Sequence, residues 1–139
     1  MKKMMLFMGI LFLFMACKEE LSRHVVEYHE NGVPRLVSYY RHQGVDSVLV
    51  REEWFYADSS LRMTGGYEDG LKSGEWIAWY ENGNPWSQGT FLEGKSHGER
   101  IVYHENGQIK YKGSYTHGDR SGHWEFFDAN GKQQKVLDY

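Results

Sequence analysis

Cysteine occurs once, at Cys17, among 139 residues, and proline only twice. A chain with one thiol closes no internal disulfide, so its stability outside the cytoplasm has to come from the fold itself. A positive balance is also lacking: 16 Lys and Arg stand against 19 Asp and Glu, a net charge of −3, and no basic stripe runs along the sequence. Phosphate binding would lack its main driving force, which excludes nucleic acid as a partner. The apolar stretch at residues 6–16 falls short of the roughly 20 residues of a membrane-spanning helix. Catalytic signatures are absent too. There is no Ser/His/Asp arrangement, phosphate-cradling glycine loop or dinucleotide fingerprint. The seven histidines form no His-x-x-x-His or Cys/His pattern and are expected to be solvated, with no metal bound. The carboxylates, Glu75, Glu81, Glu99 and Glu105 among them, fall at turns and strand starts. There they solubilise a sheet; they do not form the carboxylate pair of a glycosidase cleft. Neither an enzyme nor a cofactor is expected.

What the chain does contain is glycine, 16 residues of it, and 16% aromatics, the composition of strands and turns. Three Glu-Asn-Gly triplets stand at residues 30–32, 81–83 and 105–107, and Ala129-Asn130-Gly131 is a fourth variant. Residues 74–97 align without gaps on 98–121 and then on 122–139, a period of 24. One period earlier, Tyr56, Gly65, Tyr67, Gly70 and Gly74 match Tyr80, Gly89, Phe91, Gly94 and Gly98. The first copy fits once about three residues are inserted between Arg41 and Arg51. The expected fold is therefore all-β: an elongated, single, twisted antiparallel sheet of about nine strands. It would be built from four hairpin repeats and a truncated fifth over residues 25–139.

A three-residue Glu-Asn-Gly loop, with Gly32, Gly83, Gly107 and Gly131 at positive φ, pairs Tyr80 with Asn84. Ser59 stands where the second copy should have glycine, which predicts local strain or another turn. Uninterrupted pairing then puts Ile101, Tyr103, Ile109, Tyr111, Gly113 and Tyr115 on an apolar face. Arg100, Val102, His104, Lys110, Lys112 and Ser114 fall on a polar one. Two aromatic rows follow on the apolar face: Tyr28, Phe55, Trp79, Tyr103 and Phe127, and Tyr40, Tyr67, Phe91, Tyr115 and Tyr139. Between them lie Gly65, Gly89 and Gly113, each expected under a neighbouring ring. The polar face is unexpectedly aromatic at Trp54, Tyr56, Trp76, Tyr80, Trp86, Trp124 and Phe126. Exposed aromatics grouped on a sheet mark a binding surface. All of these except Phe126 are the candidate partner-binding residues.

Residues 1–16 are expected to be a signal segment, with Lys2 and Lys3 ahead of the apolar stretch. Its end, Phe14-Met15-Ala16-Cys17, resembles a bacterial lipobox, in which the cysteine is acylated. Residues 17–24 would then be a linker, and the acyl chains would anchor the protein at about 0.8 kcal/mol per buried CH₂. Lys18-Glu19-Glu20 resembles a signal for the outer face of the outer membrane. The unit Gly74-Glu75-Trp76…Tyr80-Glu81-Asn82-Gly83…Gly89-Thr90-Phe91-Leu92-Glu93-Gly94…Gly98 resembles the variant MORN repeat of bacteria, over nearly everything after residue 25. The resemblance implies rows of β-hairpins, contacts with membrane lipid or protein, and no catalytic residues. Bacterial relatives are described as antitoxin-like. The functional expectation is a cell-envelope lipoprotein, membrane-held through Cys17, whose sheet binds a protein. Glycan binding through the Trp/Tyr face and antitoxin-like inhibition are the alternatives.

Overall fold

The computed structural model describes residues 20–139; the apolar leader and Cys17 lie outside the described residues. Ten strands follow in chain order: β1 (Ser22–Tyr28), β2 (Pro34–Gln43), β3 (Asp46–Phe55), β4 (Leu61–Glu68), β5 (Leu71–Trp79), β6 (Pro85–Leu92), β7 (Lys95–Tyr103), β8 (Ile109–Thr116), β9 (Asp119–Phe127) and β10 (Gln133–Asp138). They form one open sheet, each strand antiparallel to its sequence neighbours. The all-β meander expected from the repeat is present. The strand count rises from nine to ten because the short fifth copy still closes a full hairpin.

Two kinds of turn alternate. At the Glu-Asn-Gly sites Tyr80 donates its N–H to Asn84 O at 2.8 Å, and Gly83 donates to Tyr80 O at 3.0 Å. That is the three-residue loop, with Gly32, Gly83, Gly107 and Gly131 at φ of 80–86°. The second copy keeps the same hydrogen bonds, Ser59 to Tyr56 O and Tyr56 to Ser60 O, and forces Ser59 to φ 74°. The intervening links are two-residue turns, Asp69-Gly70, Glu93-Gly94 and His117-Gly118, with both residues at positive φ. Such turns match the twist of the strands they join. The insertion after Arg41 lengthens the β2–β3 hairpin, which turns at Gly44-Val45.

Pairing is not uninterrupted, and this overturns the expected faces. Trp79 pairs with Pro85, but Ala78 pairs with Ser87, so Trp86 is an extra, bulged residue. The same shift makes Arg62 and Lys110 the extra residues of β4 and β8. One added residue turns every later side chain of the strand to the other face. Val102 therefore stands opposite Tyr111 and Arg100 opposite Gly113. Tyr111, Gly113 and Tyr115 share their face with Arg100 and Val102, and not with Ile101 and Tyr103. The row Phe55, Trp79, Tyr103 and Phe127 points to the other side of the sheet from Tyr67, Phe91 and Tyr115.

The face thus created, the front, carries the main packing row. Gly65, Trp76, Gly89, Arg100, Gly113 and Trp124 succeed one another across neighbouring strands. The Trp76 ring lies on bare Gly65: a Cβ there would be 2.0 Å from its Cδ2. Trp124 covers Gly113 in the same way, at 2.3 Å. Each indole N–H reaches a strand carbonyl, Trp76 to Gly66 O at 3.1 Å and Trp124 to Ser114 O at 3.2 Å. Tyr67 and Phe91 meet Trp76 edge-on, and Tyr115 meets Trp124 edge-on, the arrangement ring quadrupoles favour. The rings that cover the glycines are thus the tryptophans of the repeat. In a single-layer sheet few side chains are fully covered; Trp76, Trp124, Ala78, Val102 and Val37 are the buried apolar ones.

Candidate binding surface

The six sequence-derived candidates separate in space. Trp76 is 5% exposed and Trp124 is 0% exposed. They are core, placed there by the bulges, and present no surface to a partner. Trp54 is half-buried with its ring 5.8 Å from Trp76. Tyr56 and Tyr80 are half-buried and donate their hydroxyls to Trp79 O and Tyr103 O, each at 2.8 Å. Burial, with the nearby Glu105 charge as a second cause, holds the Tyr80 phenol above its ordinary pKa. Trp86 alone offers an exposed ring, at 44%, with Tyr80 beside it at 6.2 Å.

The bulge explains why. Arg62, Trp86, Lys110 and Gln134 recur at this position, 24 residues apart, and all are exposed. A residue pushed out of the ladder meets solvent, so three copies place a charged or polar side chain there. Trp86 is the apolar one, and nothing in the sheet requires an indole at that point.

Beside Trp86 lies a groove of about 190 Å³ on the front face, lined by Met63, Lys72, Trp76, Phe91 and Arg100 among others. Its floor is aromatic and its charged groups are cationic. Lys72 Nζ sits 3.9 Å from the Trp76 ring centre, and the Arg100 guanidinium 5.4 Å from Phe91 and 5.8 Å from Tyr115. Arg100 occupies the repeat position of Trp76 and Trp124 and lies over Gly89 in their place, with Nε 3.0 Å from where a Cβ would stand. That inward Nε is buried without a hydrogen-bond partner. Burial pulls the Lys72 pKa down; the Glu52 charge opposes this and the Arg100 charge adds to it. Glu52 accepts the Ser38 hydroxyl at 3.2 Å and the Tyr67 hydroxyl at 2.8 Å. Burial first, then that contact, raises the Tyr67 phenol pKa well above its usual range.

The two faces differ in charge. Glu53, Glu75, Glu99 and Glu125 each adjoin a front-face residue in sequence and so point to the back. There Arg51 and Lys112 pair with Glu53 and Glu125 at 3.2 Å. Lys72 and Arg100 have no such carboxylate ion pair among the described residues. Among the described residues no three His, Cys, Asp or Glu side chains are grouped to hold a metal ion. Sequence reasoning had placed Arg100 on a polar face and missed Lys72. The available signal was the break in the repeat, an arginine where the copies 24 residues either side have tryptophan.

The hairpins that carry this groove, β5–β6 and β7–β8, are the ones a family model recognises. Residues 72–93 and 96–117 match the MORN repeat variant. Each matched segment is a strand, a Glu-Asn-Gly loop and a second strand, and the groove bridges the two. No curated protein matches the chain. Among solved structures it is similar to a chain described as "Crystal structure of GtfA/B complex bound to UDP and GlcNAc". The identity is 10% and the TM-score 0.34, over 85% of this chain and 24% of that one. The present chain thus spans about a quarter of that structure's length.

Proposed function

We propose that the protein is a non-enzymatic, exported lipoprotein, and that its MORN-type sheet binds a protein of the cell envelope through the front face beside Trp86. The observation that carries the reading is one exposed indole at a bulge position otherwise given to Arg, Lys and Gln. It adjoins a groove with an aromatic floor. Exposed Trp with buried apolar neighbours is the usual anchor of a protein interface. Export and anchoring rest on the sequence around Cys17. Trp76→Ala is not a clean probe, because it opens the core. Trp86→Ala is the proper variant. Full chain bearing it, solubilised from native membranes, should lose a co-purifying protein that the parent retains, with an unchanged melting temperature. Equal recovery of that protein would reject the front face as the binding surface. Labelling with palmitate, present in the parent and lost in Cys17→Ala, is the expected result for the anchor.

A further inference from the structure

We infer that the groove between Lys72 and Arg100 takes a carboxylate side chain of the protein partner, an Asp or Glu flanked by an apolar residue that packs on Trp86 and Met63. This deepens the proposed binding function and rests on it. Two half-buried cations share one shallow groove and neither has an ion pair among the described residues. Like charges placed together in a partly desolvated site are unfavourable unless an anion joins them. At Lys72 burial is the main cause that lowers the pKa, and the Arg100 charge adds to it against the larger opposing charge of Glu52, which forms no ion pair with either cation among the described residues. The Arg100 guanidinium turns one edge to Gly89, with Nε 3.0 Å from the Cβ position and buried, which leaves its outer edge to bind. In that state it suits a planar carboxylate.

The same geometry disfavours a sugar ring. Stacking needs an open aromatic face, but Trp76 is 5% exposed and its ring is capped by Lys72 Nζ. Charge sidedness points the same way. An acidic segment on the back would meet Glu75 and Glu99, whereas on the front it meets Lys72, Arg100 and the exposed bulge residues Arg62 and Lys110, with the carboxylate of Glu52 there already engaged by Ser38 and Tyr67.

The test uses the full chain in detergent, panned against a displayed library of peptides with randomised interior positions. Enriched peptides are then made as C-terminal amides, each with a Glu→Gln or Asp→Asn counterpart. The expected result is enrichment of Asp or Glu beside an apolar residue, with amide counterparts weaker by about tenfold or more. Lys72→Gln and Arg100→Gln should each weaken the acidic peptide toward its counterpart. Arg100→Lys should recover part of the loss, and Lys112→Gln on the back face should change nothing. Since Arg100→Gln uncovers Gly89 and risks the fold, the Lys72→Gln result decides if the arginine variant melts early. No acidic preference, equal binding of the amide counterparts, or preference surviving in Lys72→Gln would overturn the inference. So would binding confined to anionic phospholipid vesicles or oligogalacturonate. If Trp86→Ala loses the native partner while Lys72→Gln keeps it, the binding surface stands and the carboxylate assignment falls.

Discussion

Gly65 and Gly113 lie in van der Waals contact with indole rings that have nowhere to go. Alanine at either would put its Cβ 2.0 or 2.3 Å from ring carbon, and overpacking of this kind costs about 1–3 kcal/mol. At Gly89 the neighbour is the end of the Arg100 side chain, at 3.0 Å, and an arginine can swing aside. Gly89→Ala should therefore be much milder than Gly65→Ala or Gly113→Ala in urea melts, although the three positions are equivalent in the repeat. Ser59 is the converse case. It holds φ 74° without being glycine, a conformation that costs an L-residue about 1 kcal/mol. Ser59→Gly should raise stability by up to that amount, and a lower denaturation midpoint would contradict the turn assignment.

Within each hairpin the Glu-Asn-Gly loop does more than reverse the chain. The Asn side chain accepts the N–H two residues on, as in Val33 to Asn31, Asn84 to Asn82 and Gln108 to Asn106. Its amide group donates forward to the next loop: Asn31 to Ala57 O, Asn82 to Glu105 O and Asn106 to Ala129 O. The residue before the loop does the same. His29 and His104 sit with Nε2 at 2.9 and 3.0 Å from Phe55 O and Phe127 O, and Tyr56 and Tyr80 reach Trp79 O and Tyr103 O. Consecutive loops are thereby stitched into a row. The second copy has Asp58, a carboxylate with no proton to donate forward. It turns to Ser60 instead, whose hydrogen bonds lower its pKa. Asp58→Asn should restore the missing bond to the third loop and raise the urea midpoint. Tyr80→Phe should lose such a bond and cost about 0.5–1.5 kcal/mol in the same melts. The period, loop length and turn glycines were legible in the sequence because each leaves a residue-type mark. The bulges were not. Arg62, Trp86 and Lys110 share no residue type, and nothing local distinguishes a bulged residue from a paired one. With the bulge hidden, uninterrupted pairing assigns one strand of each hairpin to the wrong face and puts Trp76 and Trp124 at the surface.

Across the whole molecule the sheet is one layer thick and each hairpin touches only its neighbours, so stability accumulates along the row. Asp128 ends the row of forward donors. It stands at the position of His104 and Tyr80 but accepts from Asn130 N, Lys132 N and Gln134 Nε2 within its own hairpin. The binding reading depends on one division made by the bulges, tryptophans 76 and 124 inside and tryptophan 86 outside. Hydroxyl-radical footprinting of the full chain, with oxidation read separately at each tryptophan by mass spectrometry, measures that division without any mutation. The structure predicts fast oxidation at Trp86, strong protection at Trp76 and Trp124, and intermediate rates at Trp54 and Trp79. Trp76 or Trp124 oxidised as fast as Trp86 would contradict it and restore the uninterrupted pairing.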